Sequence, residues 1–294
     1  MKKIVSVLLC VLLCACAFSG CKKQVEIREM KASYDARLSD YSQESKNAYL
    51  SLFNAVMNAE ESAEVGEEEF DEATTMFYTS FPLSDLVESI KQNSDSKSVR
   101  IRYKNSSKEH KRLVDKFKEE ASVILEECKA GAVSDNEFIL NLYSYLAQNV
   151  EIDYSYSTAF DAIVEKKGSA SAFEAAFNFL LQQQGIPAAR VYAKGYDATH
   201  FLTELEINGE RYYFDPYGEK VYSQGNGLSY FGMTYMGLQK NGIECDLTYA
   251  DKSTAVPEQN SDMFAELFQT KSYEYSNGVI SVTHSDGRVT EINF

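Results

Sequence analysis

His200 and Asp215 are the residues whose types and spacing point most directly to chemistry. An imidazole bonded to a carboxylate has its tautomer fixed and can serve as a general base. Such a base needs something to activate. The stretch Gly168-Ser169-Ala170-Ser171 opens a helix, and a helix N-terminus lowers the pKa of a thiol placed there. The helix start offers two hydroxyls and a methyl group but no thiol, and a methyl group cannot attack a carbonyl. A Ser-His-Asp arrangement through Ser169 or Ser171 is chemically sound, so both remain alternative nucleophiles at this stage.

Two elements must position these groups. Phe173, Phe177, Leu180 and Leu181 form a stripe at helical spacing. Ser171 and Glu174 fit a capping box, and Gly185 with Pro187 marks the stop. The helix is therefore expected over 172–184, with Ser171 as its N-cap. Next, 199–207 and 210–215 flank Asn208-Gly209, a strong two-residue hairpin turn. Counting outward from the turn, Ile207 opposes Glu210, Leu202 opposes Asp215 and His200 opposes Tyr217. His200 and Asp215 then share a face as diagonal neighbours, and Pro216 stops the strand.

The ordered set Gly168, Gly185-Ile186-Pro187, His200-Phe201 and Tyr213-Phe214-Asp215-Pro216 resembles the transglutaminase-like family, which has a papain-like core. The upstream Ile152-Asp153-Tyr154-Ser155-Tyr156 and Ala162-Ile163-Val164 are similar to that family's approach to its cysteine. The resemblance covers about 134–218. It implies a cysteine nucleophile at the position of Ala170, with His200 as base and Asp215 orienting it. The departure is at Ala170, so the implied covalent mechanism lacks its nucleophile and His200 and Asp215 read as a relict or conditional pair. Ser169 and Ser171 each lie one residue from the implied position, and one residue at a helix start turns a side chain by about 100°. Tyr154 and Tyr156 either line the cleft or pack in the core.

The remaining chain reads as α+β. Helices are expected over 42–57, around 70–77 and over 107–129. Leu83 to Lys91 suggests a short helix, and Val99 to Tyr103 alternates as a strand. Ser134 and Glu137 form a capping box ahead of another helix. From Ser272, the turns Asn277-Gly278 and Asp286-Gly287 separate three strands of a β-meander. The organisation expected is a signal peptide (1–20), a lipid-anchored tether (21–41), a mostly helical region (42–130), the transglutaminase-like core (131–235) and an extension ending in the meander (236–294).

Met1-Lys2-Lys3 precedes an apolar run from Ile4 to Phe18, too short to span a bilayer comfortably. Phe18-Ser19-Gly20-Cys21 resembles the lipobox of bacterial lipoproteins. This implies lipid on Cys21 and a location on the bacterial cell envelope. Of six cysteines, three lie in the signal and Cys21 is the lipid site. Cys128 and Cys245 are left either to form a disulfide or to remain thiols. The three histidines (His110, His200, His284) are far apart and form no metal-ligand pattern. His110 and His284 read as surface or loop residues. No motif for a metal or phosphate cofactor is present. A formal net charge of -15 argues against nucleic acid as a partner.

Three functions compete. One is a catalytically silent lipoprotein whose cleft binds a peptide, cell-wall or protein ligand. Another is an active hydrolase or acyltransferase on amide or ester bonds, using Ser169 or Ser171. The third is a scaffold whose contacts are made by the N-terminal helices or the meander.

Overall fold

The computed structural model describes residues 25–94, 97–194, 199–249, 256, 261 and 263–294. Cys21 and the apolar run before it lie outside the described residues. The fold is α+β, with a central helix packed on an antiparallel sheet, helices on its N-terminal side and a C-terminal meander.

Helix α1, Gln43–Met57, starts at Ser42, whose Oγ accepts from the Ser45 N–H at 3.0 Å. Helix α2 spans Phe70–Ser80. The short helix expected over 83–91 is not formed. One turn at Ser84–Leu86 leads into strand β2, Val87–Gln92, which pairs with β3, Ser98–Tyr103. Val87 and Ile90 have helical spacing, but a bulge after Val87 lets both face the core from an extended strand. The distant partner Ile101, opposite Ile90, decides the outcome. Strand β1, Ser62–Glu64, completes this sheet on the other edge of β3.

Helix α3, Ser107–Lys129, and helix α4, Asp135–Asn149, pack against each other. Ser134 Oγ accepts from the Glu137 N–H at 3.2 Å, as the capping box requires. The returning Glu137 carboxylate bonds the Val133 N–H instead of that of Ser134. Short strands β4, Glu151–Ile152, and β5, Lys167–Gly168, pair in parallel. Helix α5, Ala170–Gln183, follows directly. The main sheet is antiparallel, in the order β8, β7, β6, β9, with β6 at Ala189–Lys194, β7 at Thr199–Ile207, β8 at Glu210–Phe214 and β9 at Glu244–Tyr249. The meander has the expected strands, β10 Thr270–Ser276, β11 Val279–His284 and β12 Val289–Asn293. Asn277 and Gly278 both have positive φ, as this two-residue turn demands.

Helix α5 is buried nearly all round. Besides the expected stripe, Ala172, Glu174, Ala176, Asn178 and Phe179 are buried. The main sheet is buried on both faces. Leu205, Ile207, Tyr212 and Phe214 join the large core that runs from α1 to the meander. Val191, Leu202, Tyr213 and Leu247 join a smaller cluster on the other face. Each fully buried aliphatic or phenyl side chain contributes about 1.5–3 kcal/mol.

The stretch expected as a tether is packed onto the fold from residue 28 onward. The Arg28 N–H donates to Ser122 Oγ (3.0 Å), the Lys31 N–H to Gln183 Oε1 (2.8 Å) and the Ala36 N–H to the Ala188 carbonyl (3.0 Å). Met30 and Leu38 are buried. Asp35 accepts the Arg190 N–H at 2.6 Å, and Arg190 Nε bonds Glu174 at 2.6 Å.

Burial pushes the Glu174 carboxyl up to about 7, against the opposing pull of Arg190. In the unfolded chain it titrates at about 4.3. Between those values the folded state holds a proton that the unfolded state has lost, so this group's contribution to stability falls as pH rises from about 4.5 to about 7. We expect Glu174→Gln to flatten that part of the stability–pH curve, measured by urea unfolding at several pH values. An unchanged slope would contradict the assignment.

Candidate functional site

The hairpin turn is as expected, with φ of 55° at Asn208 and 81° at Gly209. Pairing runs from Ile207↔Glu210 to Thr203↔Phe214. There the expected register ends, because the chain leaves the sheet. Pro216 opens helix α6, Pro216–Ser223, and the Asp215 N–H donates to the Tyr230 carbonyl at 3.0 Å. The pairings Leu202↔Asp215 and His200↔Tyr217 are therefore not among those formed.

His200 and Asp215 nonetheless meet, by a different route. Asp215 is the N-cap of α6, and its Oδ1 accepts the Gly218 N–H at 2.8 Å. That bond aims Oδ2 at His200, 2.5 Å from Nε2. Asp215 is 1% exposed, and the positive end of α6 favours its negative charge. Gly218 is required here because a Cβ would overlap Asp215 Oδ2. Beneath lies Glu219, fully buried, which accepts from Ser223 Oγ (2.6 Å), the Tyr230 N–H (2.9 Å) and the Tyr143 hydroxyl (3.2 Å). Burial foremost, and then the Asp215 charge, raise its pKa despite those bonds. Gly218, Glu219, Tyr143 and Tyr230 did not emerge from the sequence. The Asp215-Pro216 pair carried the signal, since Asp at N-cap with Pro at N1 opens a helix.

Burial lowers the pKa of His200, but the Asp215 charge and hydrogen bond outweigh it, and the net shift is upward. Tyr217 packs edge-on to His200, with ring centroids 6.1 Å apart, and edge-on to Phe173 in the first turns of α5, at 5.7 Å. Its hydroxyl donates to that of Tyr154 at 3.2 Å. Tyr154 is 79% exposed, so it lies at the mouth of this region and not in the core. Tyr156 is half-buried beneath Lys167, whose Nζ is 5.4 Å from the ring centroid.

Helix α5 begins at Ala170, two residues earlier than expected, with Ser169 as N-cap. Ser171 is not the cap. Its hydroxyl donates to the Ser157 carbonyl at 3.0 Å and lies 3.1 Å from Ser169 Oγ. Glu174 is no capping partner either, since its carboxylate is held by Arg190 and Asn178. The Ser169 N–H donates to the Tyr156 carbonyl at 2.7 Å. Gly168 lets the preceding strand approach, because a Cβ there would stand 2.6 Å from that of Ala172. Neither serine hydroxyl bonds to His200, whose hydrogen-bond partner is Asp215.

Cys128 and Cys245 are thiols and form no disulfide with each other. Cys128 is buried, which pushes its pKa up to about 12, and Cys245 Sγ donates to the Tyr235 carbonyl at 3.5 Å. His110 and His284 are not surface residues. His110 is buried in α3, with Nε2 2.8 Å from the Val56 carbonyl, and His284 is buried on β11, 3.0 Å from Thr290 Oγ1. Among the described residues, no group of three His, Cys, Asp or Glu could hold a metal ion.

No family model and no curated protein sequence matches the chain. The solved structures that are similar over part of their length include three at low identity. One is a transglutaminase, 14% identical over 44% of this chain and 43% of that one, with a TM-score of 0.33. Another is a provisionally assigned cysteine protease from Cytophaga hutchinsonii, 21% identical over 33% and 37%, at 0.28. The third is a provisionally assigned protease from Parabacteroides distasonis, 11% identical over 58% and 35%, at 0.33. The chain spans less than half the length of each.

The electrostatics give a signed test. Removing the Asp215 charge leaves burial acting alone on His200. In Asp215→Asn the imidazole is expected to titrate below the ordinary value of about 6.5, against above it in the parent, read from its ring-proton NMR shifts. The folded-state pKa of the parent is raised, so the pair's stabilisation is full below about 6.5 and is lost as pH rises through the folded value. An unmoved or raised pKa in Asp215→Asn would contradict the pairing.

Proposed function

We propose that this chain is a cell-envelope lipoprotein whose transglutaminase-like core has lost thiol catalysis and binds a peptide or protein ligand at the former site. One observation carries the reading. The His200–Asp215 pair is assembled and shielded, while the helix start presents the methyl group of Ala170 between two hydroxyls committed elsewhere. A general base without a nucleophile supports no acyl-enzyme chemistry. A serine mechanism is the weaker reading, because Ser171 gives its proton to the Ser157 carbonyl and Ser169 is paired with Ser171. The exposed Tyr154, bonded to Tyr217, gives the ligand an aromatic edge with a hydroxyl at its tip, a combination suited to peptide recognition.

Restoring the sulfur tests the reading. In Ala170→Cys, iodoacetamide at about pH 6 is expected to label the new thiol much faster than an unperturbed thiol near 8.5 would react. Peptide mass spectrometry locates the label, and His200→Ala should slow it. The parent chain should take no label at Ser169 or Ser171 from a fluorophosphonate. Slow labelling of the new thiol, or fluorophosphonate on either serine, would overturn the proposal.

The envelope location has its own test. Radiolabelled palmitate is expected to enter the parent and not Cys21→Ala in the expressing bacterium. Equal incorporation in both would remove the lipid anchor from the proposal.

A further inference from the structure

The sheet of β1, β3 and β2 turns Val87, Ile90, Val99 and Ile101 to the core. Its other face carries cations. Lys91 stands directly opposite Arg100, and Arg102 opposite Ser89. Directly opposed residues have Cα atoms about 4.5–5.5 Å apart, and residues two apart on one strand are about 6.8 Å apart on one face. All three cations are exposed, and among the described residues none has a side-chain hydrogen bond or ion pair. This is notable in a chain with 44 acidic and 29 basic residues. Elsewhere Arg28, Arg37, Arg112, Arg190 and Arg288 each pair with a carboxylate.

Like charges directly opposed across two strands destabilise a sheet. The cluster therefore costs the free protein something and gives no visible internal return. Its side chains surround a surface cavity of about 200 Å³, lined by Ser89, Lys91, Gln92, Asn93, Arg100 and Arg102. Among the described residues, no carboxylate lines it. The neighbouring acidic residues, Glu88 in the bulge beside Ser89 and Glu64 opposite Ser98, are outside the lining. Two guanidinium forks and an ammonium, with the Ser89 hydroxyl beside them, match the lone pairs of a tetrahedral oxyanion, while the Gln92 and Asn93 amides donate internally to the Val65 carbonyl and Ser98 Oγ.

We propose that this face is an oxyanion-binding site for a ligand bearing phosphate or sulfate groups. It lies on a different sheet from the one that carries His200 and does not depend on the function assigned to the His200–Asp215 pair.

The test is isothermal titration of the protein with inorganic pyrophosphate and, separately, with sulfate, at low and moderate NaCl. Binding of at least one anion is expected, weakening as salt rises. Arg100→Gln/Arg102→Gln should reduce affinity by roughly tenfold or more, and Lys91→Met by less. The double variant without ligand should melt no lower than the parent, since it relieves repulsion and breaks no internal bond. No binding of either anion overturns the proposal. So does binding that the double variant leaves intact. A double variant that melts well below the parent would assign the arginines a structural role and likewise overturn it.

Discussion

A carboxylate and a guanidinium held together out of water fix the middle of this molecule. Helix α5 is surrounded by apolar side chains, and Glu174 is its acidic residue, buried one turn from the helix start. An isolated charge there would cost several kcal/mol. Arg190 on β6 supplies the opposite charge, and the Arg190 backbone donates to Asp35 of the N-terminal segment. One polar chain thus ties the helix to the sheet and the N-terminal segment to both. Rotation or sliding of this turn would break the Arg190–Glu174 and Arg190–Asp35 bonds, which hold the helix start against Tyr217 and the sheet.

The second organising device is the double use of Asp215. A helix cap needs a side-chain oxygen aimed at the backbone, and an imidazole needs one aimed outward. A carboxylate has two, and Asp215 spends one on each. Pro216 makes this possible by ending the strand and opening a helix in the same step. Half of the pair therefore belongs to the helix cap, and the folding of α6 by itself holds Asp215 in position.

What the sequence made legible follows from the range of the forces involved. The turn Asn208-Gly209 and the register beside it are local, and they were readable from the positive φ those residues tolerate. The meander was readable for the same reason. The strand at Val87–Gln92 was not, because its partner Ile101 is contributed from outside the local window and overrides a helical spacing. The start of α5 was misplaced because Ser171 and Glu174 satisfy a local capping rule. Both are claimed by distant partners, Ser157 and Arg190, that no local rule exposes. Strand alternation places His200 and Asp215 near each other on a pairing that the chain does not make, and helix capping leads to the same proximity.

The anchoring of residue 28 has a mechanical consequence. Arg28 is tied to α3 through its backbone and its side chain. With lipid on Cys21, six residues would separate it from Arg28, a reach of about 25 Å over seven fully extended steps. Size scaling gives a folded chain of this length a radius of gyration of about 20 Å, so the molecule would work as a hinged fixture on the membrane. It could tilt, but it could not extend the His200 face across the envelope to distant partners. Anything it binds would have to be embedded in the same leaflet or be brought to it.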